Sequence, residues 1–111
     1  MRYAFLLWAD EAAVNALPAQ QRRAIFSEHV VFGAEIAERG GLGLGPLDDS
    51  PAARTLRPNG MVIDGPFAES KEQIGGIYVV ECADAADAEK LARRIPDSPG
   101  QHVEIRPILD G

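Results

Sequence analysis

The chain has 111 residues, 46% of them hydrophobic and 25% charged, which is the profile of one globular domain over 1–111 rather than a disordered or fibrous chain. Asp and Glu (17) outnumber Lys and Arg (11), for a formal charge of −6. The basic residues are scattered or paired, as at Arg22-Arg23 and Arg93-Arg94, so neither nucleic-acid phosphates nor an anionic membrane is an expected partner.

Tyr3-Ala4-Phe5-Leu6-Leu7-Trp8 lies within an apolar run over 2–8 that reads as a first strand. The run stops at Asp10-Glu11, too early for the apolar core of a secretion signal, and no later stretch approaches membrane-spanning length. Cys82 is the single cysteine, which excludes an internal disulfide and argues for a reducing compartment; a cytoplasmic protein is expected. Asp10 to Leu17 can form a short helix before Pro18. The longest helix follows, with Ile25, Phe32 and Ile36 in a stripe and Gly40-Gly41 as its stop.

Gly41 to Leu47 alternates glycine with leucine and reads as a second strand, its glycines admitting close approach of another backbone. Residues 48–53 form a loop. Asn59-Gly60, between Thr55-Leu56-Arg57 and Met61-Val62-Ile63, predicts a hairpin closed by a type I′ turn. Ser70-Lys71-Glu72-Gln73 has capping-box spacing and predicts one helical turn. Ile77 to Cys82 is a strand, Asp84 caps a helix that Pro96 ends, and Val103 to Ile108 is the last strand.

With the hairpin removed as an insertion, the order is β-α-β-β-α-β. The expected fold is therefore α+β: a ferredoxin-like antiparallel sheet with two main helices on one face. Two strands are apolar on both sides. Tyr3, Phe5 and Leu7 oppose Ala4, Leu6 and Trp8, and Ile77 and Val79 oppose Tyr78, Val80 and Cys82. Helices can cover one such face only, so the other predicts face-to-face pairing into a homodimer.

His29 shares the stripe of Ile25, Phe32 and Ile36, where the pattern asks for an aliphatic residue. It can act as a proton-transfer group, or serve as a core-edge histidine bonded to backbone. The densest polar stretch, Asp64 to Glu72, can carry function on a loop or simply supply turn and capping chemistry. One Cys and two His cannot make a conventional zinc site, and no metal or other cofactor is expected. Buried filler is the reading for Cys82, and a solvated site that for His102.

Asp64-Gly65-Pro66-Phe67-Ala68-Glu69, continuing through Gly75-Gly76, resembles the signature of the DGPF branch of the YCII-related proteins. Tyr3 to Asp10, Glu28-His29-Val30-Val31-Phe32 and Val103 to Ile108 resemble its first strand, helical histidine motif and last strand. The resemblance implies a dimeric α+β barrel and a small pocket where a helical histidine and an acid have been proposed to act together. One relative eliminates HCl from a chlorinated muconolactone-type compound. Carried over, His29 matches the histidine, with Asp64 or Glu69 as its carboxylate. Phe67, Lys71 and Tyr78 become ligand-binding positions, Lys71 for a small anionic organic ligand. Elimination or isomerisation without a cofactor is the implied chemistry. The alternative is a non-catalytic dimer that binds a metabolite or a protein in a sigma-factor-linked regulatory setting, and a purely structural pairing module is the third reading.

Overall fold

The computed structural model describes residues 1–110. Its strands and helices are β1 (Arg2–Asp10), α1 (Glu11–Asn15), α2 (Ala19–Ala37), β2 (Leu42–Leu44), β3 (Arg54–Leu56), β4 (Val62–Asp64), β5 (Glu72–Glu81), α3 (Ala85–Ala92) and β6 (His102–Pro107). The chain is α+β, with a four-stranded antiparallel sheet ordered β2-β5-β1-β6 and a separate two-stranded sheet of β3 and β4. No helix among the described residues is long and apolar enough to cross a membrane.

The helix ends follow from local chemistry. Asp10 caps α1, accepting the Ala13 N–H at 3.1 Å, and Asp84 caps α3 through the Asp87 N–H at 2.9 Å. At the end of α2, Gly40 adopts φ 70° and the Gly41 N–H returns to the Ile36 carbonyl at 2.9 Å. This glycine-dependent stop turns the chain directly into β2.

Directly paired residues of an antiparallel sheet share a face. Tyr3, Phe5 and Leu7 therefore stand with Tyr78 and Val80, and all five are buried with Phe32 and Ile36 of α2 and Ala88, Leu91 and Ala92 of α3. The reverse face carries Ala4, Leu6, Trp8, Ile77 and Val79, flanked by Leu42 and Leu44 of β2. Among the described residues the helices contribute their buried side chains to the opposite face. The shortest dimension of the molecule, 19 Å, is that of one sheet and one helix layer.

Two local expectations are corrected. Ser70 to Gln73 makes no helical turn: β5 begins at Glu72, where Glu72 and Gln73 pair with Asp10 and Ala9. The Gln73 amide meanwhile folds back onto the carbonyls of Ala68 and Ser70, at 2.8 and 2.9 Å. The capping-box spacing thus loses to pairing with a long first strand. The hairpin exists, but its turn is not type I′, because Gly60 has φ 87° while Asn59 is not among the residues of positive φ. Gly60 donates to the Arg57 carbonyl, and Arg57 donates to that of Met61. This is a three-residue loop in which Pro58 favours the first bend and Gly60 alone takes the left-handed position.

Candidate active site

The α2 stripe changes role along its length. Phe32 and Ile36 sit in the core, whereas His29 and Ile25, one and two turns earlier, reach the wall of a cleft of about 690 Å³. The cleft lies between α2, the helix-side face of β1 and β5, and the segment after β2. That segment forms a strap. The Leu47 N–H bonds the Gly75 carbonyl at 2.9 Å, and Glu11 accepts from both the N–H and the hydroxyl of Ser50, at 2.9 and 2.7 Å. Asn15 adds a bond to the Asp49 carboxylate at 2.9 Å, so α1 holds the strap at two points.

His29 and Tyr78 meet at the cleft wall. The His29 Nδ1 lies 2.7 Å from the Tyr78 Oη, and the two rings are nearly parallel, with centroids 5.9 Å apart. Phe32 closes on the Tyr78 ring edge-on at 5.0 Å. Gly43, paired with Tyr78 across β2 and β5, leaves the room the ring needs: a Cβ there would lie 2.7 Å from the ring's Cε1. Strand pairing, an aromatic neighbour and a glycine thus fix the phenol at the imidazole.

Desolvation lowers the His29 pKa below the ordinary 6.5, opposed in part by the neighbouring charge of Glu28. Desolvation likewise raises the Tyr78 phenol above its ordinary value. Both groups are therefore uncharged at neutral pH. Either can be the donor, since a phenol donates or accepts and a neutral imidazole has two tautomers. His29 Nε2 has no protein partner among the described residues and is open to solvent.

The other expected site residues lie elsewhere. Asp64 ends β4, exposed and paired in register with Arg54 of the hairpin. Phe67 and Glu69 border a separate, shallow hollow of about 380 Å³ with Thr55, Arg57, Ile63 and Pro66; Phe67 is 91% exposed. Lys71 reaches the Asp10 carboxylate at 3.4 Å and is off the cleft wall. Of the named positions, His29 and Tyr78 are brought together. Among the described residues no three His, Cys, Asp or Glu side chains cluster as a metal ion would require.

The model of the YCII-related domain matches residues 1–110. An uncharacterized protein of Rhizobium meliloti (strain 1021) is 34% identical over 115 residues, covering 97% of this chain and 92% of its own length. The chain belongs to the YCII-related family. The histidine singled out in this YCII-related chain by its place on an apolar stripe is thus a wall residue of the cleft between α2 and the sheet. Sequence reasoning missed its contact with Tyr78, and also the strap. The alternation of β5 and the glycine opposite, Gly43, were the available signals for the first; nothing local signals the second.

Proposed function

We propose that this YCII-related protein is a small-molecule pocket protein in which His29 transfers a proton at carbon without a cofactor, in a ferredoxin-like protomer paired as a homodimer in the cytoplasm. The contact between His29 and Tyr78 at the cleft wall carries the reading. With Nδ1–H donated to Tyr78, Nε2 has a free lone pair and can take a proton from carbon next to a carbonyl. The bonding pair moves toward the carbonyl oxygen, and Nε2–H then returns the proton at another carbon, an isomerisation. If the ligand carries a leaving group, that group departs with its electron pair, an elimination. Tyr78 keeps the imidazolium in place by accepting from Nδ1. In this reading Tyr78 takes the part of ring-orienting partner that the family resemblance gives to a carboxylate.

Exchange of α-hydrogens with solvent tests this without knowledge of the natural substrate. In D₂O the protein should deuterate 2-indanone next to its carbonyl at least about a hundred times faster than the His29→Ala variant does, as general-base catalysis typically contributes. Equal rates for two equally folded proteins would reject proton transfer by His29.

A further inference from the structure

The cleft's lining also restricts what can enter it. Most of its wall is aliphatic or aromatic, including Leu7, Val14, Ile25, Phe26 and Val30. Its ionised side chains are Glu11, Asp48 and Asp49 against the single cation Arg22, a balance of two negative charges with His29 neutral. An apolar cleft with an acidic rim focuses a negative potential, which raises the energy of an anion entering it. The acids do not form a ready ammonium cage either, because both Glu11 oxygens are taken by Ser50 and one Asp49 oxygen by Asn15. The cation nearest in sequence to the family signature, Lys71, is paired with Asp10 outside the lining.

What remains for polar recognition is a neutral donor–acceptor pair. Such a pair suits a carbonyl or hydroxyl group, and burying an ion beside it without a partner is costly. The volume of about 690 Å³ is ample for one or two fused rings. We infer that the cleft takes an uncharged, mostly apolar molecule bearing one carbonyl or hydroxyl, and that it discriminates against carboxylates. This inference rests on the cleft being the ligand site, as proposed above.

A matched set on one skeleton separates the two ideas: 2-indanone, 2-aminoindane and indane-2-carboxylate, titrated into the full chain and followed by backbone and His29 ring resonances. The ketone should bind the cleft most tightly and the carboxylate about tenfold more weakly, the factor expected for one opposing unit charge at roughly 10 Å and an effective dielectric of ~20. The Asp48→Asn/Asp49→Asn double variant should narrow that gap. Tightest binding by the carboxylate or the amine, with His29 resonances responding, would overturn the charge inference and leave the site standing. Shifts confined to other surfaces, or none for any of the three, would overturn both.

Discussion

Replacing Leu6 with aspartate should convert a dimer into monomers while leaving the helix-side core intact. Leu6 stands on the reverse face of the sheet with Ala4, Trp8, Ile77 and Val79, opposite the face on which the buried residues of α2 and α3 pack among the described residues. The core lies on the other side, with Phe5 fully buried. If two copies meet through the reverse face, symmetry places two new carboxylates in a dry interface. An unpaired buried charge costs several kcal/mol, and here it occurs twice. Sedimentation should give a wild-type mass twice that of the 11.9 kDa chain, and the Leu6→Asp protein should sediment as one chain with an unchanged far-ultraviolet spectrum. A monomeric wild type, or a variant that stays dimeric, would show that this face is not the interface.

The second large effect is expected at Gly43. An alanine Cβ there would stand 2.7 Å from Cε1 and 3.0 Å from Cδ1 of Tyr78, closer than such atoms approach in folded proteins. The phenol cannot simply swing away, because Phe32 packs on its edge and Tyr78 is 7% exposed. Strand β2 or the Tyr78 ring must move. Overpacking of this kind costs about 1–3 kcal/mol. A displacement also removes the 2.7 Å contact to His29. Gly43→Ala should therefore lower the unfolding midpoint and reduce α-hydrogen exchange together. A variant matching the wild type in both would mean that Gly43 does not set the position of Tyr78.

The sequence was informative where a pattern is local. The two-sided apolar alternation of β1 and β5, the stripe of α2 and the caps at Asp84 and Gly40-Gly41 each specify their own element, and the structure carries them. Placement of His29 at the edge of the core follows from the same stripe. The failures arise where a distant partner decides. Ser70 to Gln73 satisfies a helical spacing, but Asp10 and Ala9 offer strand pairing. Asn59 suits a left-handed turn position, but Pro58 before it favours the ordinary bend.

The site was half legible for a related reason. Tyr78 is 49 residues from His29, and their meeting requires α2 to pack across β5 at one particular register. The strap depends on Glu11 meeting Ser50, 39 residues away, a contact with no counterpart in any local motif. The DGPF segment drew attention as the densest polar stretch. It lies in the hairpin and the link to β5, with its phenylalanine in solvent.

The central claim is that His29 is a partly desolvated, neutral imidazole tied to Tyr78. Its folded-state pKa is lowered, so an unfolded chain binds the proton more readily as pH falls below 6.5. The contribution of His29 to stability is thus full above that value and is lost as pH falls toward the lowered folded-state pKa. The most direct test is an NMR titration of the His29 ring nitrogens in the wild type and in Tyr78→Phe. The account predicts a wild-type midpoint below 6.5 and an Nδ1 resonance that moves when the phenol oxygen is removed. A midpoint at or above 6.5, with ring nitrogens indifferent to Tyr78→Phe, would contradict it.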